Sequence, residues 1–166
     1  MAAEADPPAF PISVQLAAAT IDGVHTDAAV LGFSNCVVVL VTQLASIGSL
    51  VRAAVSQLSD DTASAKQAAR ELSRAADIPV DTRFLLGNPS GSAASSLYQI
   101  LAINIAQSWR RHSPRDARPV ILGVALDLPR AYKLPSTIDD GDGPDIAAYA
   151  PIVDALVPLV DSCRAR

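Results

Sequence analysis

Residues 36–41, CVVVLV, and 120–126, VILGVAL, carry no polar side chain at any position. Each run is far shorter than the ~20 residues needed to cross a bilayer. Neither alternates as a strand with one wet face would. Both therefore read as strands covered on both faces. The chain must fold around a sheet with a buried centre, and either its own remainder or a partner must supply the two covers.

The rest of the pattern surrounds these runs. Ile12, Val14 and Leu16 alternate with Ser13, Gln15 and Ala17, predicting a strand that buries the first set. Asp22-Gly23 between apolar alternations predicts a hairpin, since both turn positions favour positive φ. A second strand follows over about 24–33, a third over 36–43 and a fourth over about 49–56. Short turns between them suggest a four-stranded antiparallel meander. In a fifth strand, Val80, Thr82, Phe84 and Leu86 face one way and Asp81, Arg83 and Leu85 the other.

A helix is predicted over 93–112. Leu97, Ile100, Leu101, Ile103, Ile105 and Trp109 surround most of its circumference, which predicts deep burial. Arg110, Arg111 and His112 fall in its last turn, where cations suit the helix dipole. Strand, helix and strand in succession imply a return crossover and one parallel pair. In the tail, Pro144 suits a first helical position. Pro151 and Pro158 predict two short helical pieces or one bent helix. The fold class is α+β, with an about six-stranded, mostly antiparallel sheet packed with two main helices.

With 166 residues, the chain has the length of one domain. That domain is expected over 12–163. Residues 1–11 read as a disordered tail and 57–79 as a flexible insertion, in which Leu72 is the only large apolar residue between Leu58 and Ile78. Half of the chain is apolar, 18% is charged and the net charge is −4. This is greasy for a monomer, and the negative balance argues against nucleic-acid binding. The N-terminus lacks the basic and apolar regions of a signal peptide. A cytoplasmic, and also nuclear, location is expected, with no membrane association. Cys36 and Cys163 are too few and too scattered for a disulfide framework and read as reduced thiols, with Cys36 inside the third strand.

Candidate chemistry is sparse. The turn GNPSG at 87–91 places its serine fourth, whereas a nucleophile elbow needs G-x-S-x-G. No motif places His25, His112 or Asp127 around Ser90 as a triad, so helix capping explains the turn. The spacing and lysine of a phosphate loop are absent. Asp139, Asp140, Asp142 and Asp145 suggest calcium, but Ala150 or Pro151 occupies the twelfth position where an acid is required. The cysteines and histidines lack zinc spacing. No cofactor is expected. Arg110, Arg111, His112, Arg115 and Arg118 form a basic cluster that suits either a solvated helix end or an acidic partner. Asn104 reads as a hydrogen-bonded core amide or as the edge of an interface.

Three blocks carry a family resemblance. VVVLVTQLASIGSLV at 37–51 resembles the strand, loop and strand of the proteasome assembly chaperone 3 family through Val41, Thr42, Gln43, Gly48 and Leu50. TRFLLGNPSGSAASSLYQILAINIAQSW at 82–109 is similar to its strand ending in L-L-G, turn and apolar helix. VILGVALD at 120–127 resembles the strand that follows. The insertion 57–79 and the prolines of the last helix depart from that pattern. The resemblance implies a non-enzymatic chaperone that pairs with the related proteasome assembly chaperone 4 or with itself. Such a pair helps proteasome α subunits form the 20S ring and is released as assembly proceeds. It brings no catalytic residues. Asp60, Asp61, Lys66, Arg70 and Arg74 of the insertion are the candidate contact with the ring subunit. A dimeric scaffold module of a trafficking or signalling complex and a small serine hydrolase are the alternatives.

Overall fold

A computed structural model describes residues 12–55, 79–87, 93–127 and 150–164. Asp22 and Gly23 adopt φ of 48° and 79°. This double positive turn matches the twist of adjacent strands. It closes β1 (Ser13–Ile21) on β2 (Val24–Gly32), with Ile21 opposite Val24 and Ser13 opposite Gly32. β3 (Val37–Thr42) pairs antiparallel with β2. Cys36 lies just outside β3, in the turn where its carbonyl accepts the Phe33 N–H. Then follow β4 (Ser49–Val55), β5 (Val80–Leu86), α1 (Ala93–His112), β6 (Val120–Ala125) and α2 (Ala150–Arg164).

The sheet order is β1-β2-β3-β6-β4-β5. Four pairings are antiparallel and one, β3 with β6, is parallel. The fold class is as the sequence indicates, but the meander is not. Of the four strands expected to form it, only β1, β2 and β3 follow one another in space, and β6 separates β3 from β4. Both fully apolar runs thus take the two central places. Their lack of alternation suits strands with a neighbour on each edge, but β3 is fully buried only on the side of Val37, Val39 and Val41, and no described helix covers its other side.

α1 and α2 pack on one face of the sheet and on each other. Leu97, Leu101 and Ile105 of α1 and Ile152 and Leu156 of α2 meet Val37, Val39, Val41, Val51, Val120 and Leu122 in one core. α1 has the predicted bounds, but it is not buried all round. Ile100 and Ile103 are only half-buried beside the fully covered Leu97–Leu101–Ile105 stripe. Asn104 is half-buried and donates to the Ile100 carbonyl of its own helix at 2.9 Å. α2 is one continuous helix. Pro151 sits in its first turn, where a missing N–H costs nothing. Pro158 is inside the helix but on its exposed side, where water can satisfy the carbonyl left without a donor.

Candidate functional site

β1 is buried in the phase opposite to the predicted one. Ala17, Ala19 and Ile21 turn toward the helices, while Val14 and Leu16 are 45% and 63% exposed. The reason lies in the space available. α2 passes close over β1 and β2, which leaves room for alanine but not for leucine. The larger side chains go to the other face, and no described helix covers that face.

The strand register builds this face row by row. One row runs Leu16, Ala29, Leu40, Gly123, Leu50; the next runs Val14, Leu31, Val38, Ile121, Arg52. The first alternates large and small residues, so its surface is ridged. Between Leu16 and Leu40 lies an open groove of about 480 Å³, floored by Ala29 and bordered by Ala18, Asp27 and Thr42. At Gly123 a Cβ would fall 2.6 Å from Leu40 Cδ2 and 3.2 Å from Leu50 Cδ2. Only glycine lets these two leucines lean together there.

The loop 43–48 borders the same face. The Thr42 hydroxyl donates to the Ser46 carbonyl at 3.0 Å and accepts the Leu44 and Ser46 N–H groups. Ala45 adopts φ 51°. So stapled, the loop holds Leu44 and Ile47 more than half exposed, with Ile47 reaching toward Gly123. Behind it, the Gln43 amide donates to Thr26 and accepts the Asp127 N–H, each at 3.0 Å. Thr42 and Gln43 thus end the apolar run because each has a structural hydrogen-bonding task.

Ser108, His112 and Asp161 come together, but not as a catalytic triad. The Ser108 hydroxyl reaches the Asp161 carboxylate directly, at 2.8 and 2.9 Å, and His112 Nδ1 lies 2.9 Å from the Ser108 carbonyl oxygen. A triad needs the imidazole between hydroxyl and carboxylate. Here the bond pins α1 to α2. His25 lies 3.0 Å from Asp27 on the exposed face. No group of three or more potential metal ligands occurs among the described residues. Cys36 and Cys163 are not joined in a disulfide, and the buried Cys163 thiol donates to the Ala28 and Leu159 carbonyls at 3.8 and 3.7 Å.

In the basic cluster, Asp116 takes up part of the charge. Its carboxylate accepts from Arg118 Nη2 at 2.7 Å and Nε at 2.9 Å, and from the Trp109 indole at 2.9 Å. Arg118 also reaches the Phe33 carbonyl, and Arg110 the Asp116 carbonyl. The Arg118 guanidinium holds the Asp116 carboxyl well below the usual carboxylate range. Burial raises the Tyr98 phenol above its ordinary value.

Asp60, Asp61, Lys66, Arg70 and Arg74 lie outside the described residues, as do the tail 1–11, Ser90 and the aspartates 139–145. The sequence left open whether a partner covers one side of the sheet, but it did not say which side chains form the face that no described helix covers. The signal in the sequence is the pairing of two-sided apolar strands with two main predicted helices. Among the described residues no helix is long and apolar enough to cross a membrane.

No family model matches the chain, and no curated protein matches it in sequence. Among solved structures, it is similar to a chain from the crystal structure of a chaperone complex for yeast 20S proteasome assembly. The TM-score is 0.54 at 11% identity, over 89% of this chain and 98% of that one. The two share a fold.

Proposed function

We propose that this chain is a non-enzymatic chaperone of 20S proteasome assembly that works as one half of a dimer. The observation that carries the reading is an apolar sheet face, bare of described helices, on a fold shared with a chain of such a chaperone complex. Six strands about 4.8 Å apart, taken at the six residues of the shortest of them, offer roughly 600 Å² per partner, near the lower bound for a stable interface. The loop bearing Leu44 and Ile47 extends it. The second chain is a copy or the related proteasome assembly chaperone 4. The pair assists α-ring formation in the cytoplasm and nucleus and leaves as the particle matures. Asp60, Asp61, Lys66, Arg70 and Arg74 remain the proposed contact with the ring subunit.

The tagged protein, purified from its source cells, is expected to bring down proteasome α subunits without mature β subunits. A soluble bait that recovers a stable partner but no α subunit would favour a trafficking or signalling scaffold and refute the proposal.

A further inference from the structure

Pro114 fixes how α1 ends. Its ring disfavours helical φ and ψ at Ser113, and the helix stops at His112. The Ser113 N–H still donates to the Trp109 carbonyl at 2.9 Å, and the Ser113 carbonyl accepts the Asp116 N–H at 3.0 Å. Ser113 thus opens a turn with proline at its second position, where proline is favoured. Ser113 is half-buried, while His112 before it and Pro114 and Arg115 after it are exposed. Asp116 anchors the far end of the turn on the Trp109 indole and Arg118. The serine is therefore held at a set point of the surface.

Arg110 lies one helical turn before Ser113, where side chains share a face. Its guanidinium folds over the turn, and Nη1 donates to the Asp116 carbonyl at 2.6 Å. Its Nε is buried and has no hydrogen-bond partner among the described residues. Four arginines and one aspartate give residues 110–118 a local charge of +3, in a chain whose net charge is −4. Of the 12 prolines in the sequence, only Pro114 follows a serine or a threonine.

We propose that Ser113 is a phosphorylation site for a proline-directed protein kinase and that Arg110 holds the phosphate. The proposal stands apart from the chaperone reading. Such a kinase takes the serine in extended chain, the conformation a following proline favours, and its next pocket suits a residue without an N–H to strand. The Ser113 hydroxyl oxygen bonds to the γ-phosphorus of ATP as the bond to the bridging oxygen breaks. ADP leaves, and the hydroxyl proton passes to the aspartate of the kinase. The product carries about −1.5 to −2 charge at pH 7, which cancels half or more of the local positive charge. A phosphate at a helix C-terminus opposes the dipole. Arg110 offsets that cost, because Nε and Nη2 form the edge of a guanidinium that grips two phosphate oxygens.

The isolated full-length chain, incubated with magnesium ATP and a purified proline-directed kinase, should gain one phosphate, mapped to Ser113 by mass spectrometry. Ser113→Ala should remove it. Pro114→Ala should slow its addition at least tenfold, with the circular dichroism of both variants unchanged. In the phosphorylated chain, phosphorus NMR should place the second ionisation of the phosphate below its ordinary value of about 6, since a neighbouring cation favours the dianion. Arg110→Gln should bring it back up. The same phosphopeptide should appear in the chain taken from its source cells grown with a phosphatase inhibitor. No phosphate on the folded chain, phosphate only on other residues, a rate that Pro114→Ala leaves unchanged, or no phosphopeptide from the cells would overturn the site. An ionisation that Arg110→Gln leaves unmoved would overturn the role of Arg110. None of these results depends on whether α subunits are recovered with the chain, so the site and the chaperone reading fail separately.

Discussion

Asp116 ties together three parts of the chain: the end of α1, the loop before β6, and, through Arg118, the turn between β2 and β3. Its carboxyl is depressed chiefly by Arg118, with the Trp109 indole adding to the effect. A depressed acid stabilises the fold fully above its unfolded value of about 3.9, and that stabilisation is lost as the pH falls through the folded value. Asp116→Asn should therefore cost about 1–2 kcal/mol at pH 7, since solvent still screens the pair. Urea titrations at stepped pH should show the gap between wild type and variant closing below about pH 4. A gap independent of pH would mean that packing, not charge, is lost. The sequence displayed five cations here but not this use of one of them, because Trp109, Asp116 and Arg118 meet only once the chain has turned back after His112. Val14 and Leu16 were misassigned for a related reason: alternation reveals two faces of a strand, and only the neighbouring helix decides which of them has room.

α2 shows that a helix can tolerate an unfavourable residue when its packing is strong. Ile152, Val153, Leu156, Leu159, Val160 and Cys163 are all buried along one side, while Pro158 is exposed. An internal proline costs about 3 kcal/mol against alanine in an isolated helix. Pro158→Ala should raise the melting temperature, with a gain of about 1–3 kcal/mol by chemical denaturation; a loss would mean that the proline shapes a bend on which the core depends. Local signals located α1, β5 and the hairpin at Asp22-Gly23, because caps, periods and turn residues act over a few positions. They could not show that α2 is continuous, since that follows from tertiary burial, nor that β6 enters between β3 and β4, since partner choice among apolar strands is a long-range matter.

At the scale of the whole molecule, the sheet has one face closed by its own helices and one that no described helix closes. Leu16→Glu places a charge on the second without touching the core, because Leu16 is 63% exposed. The isolated chain should keep its circular dichroism and change in stability by less than about 0.5 kcal/mol. Its recovered partner should drop at least tenfold. Unfolding of the variant, or full retention of the partner, would count against the face as a docking surface. The greasy composition hinted at this face, but composition has no address, and only the register gathers Leu16, Leu40 and Leu50 into one row. The central slot of β6 also bears on how the protein is made. β3 and β4 are joined in the sheet only through a strand that leaves the ribosome some 65 residues after β4. Until then the nascent chain holds two fragments with raw inner edges. A product cut short before residue 120 would form no smaller version of this domain, only unpaired edges open to any strand nearby.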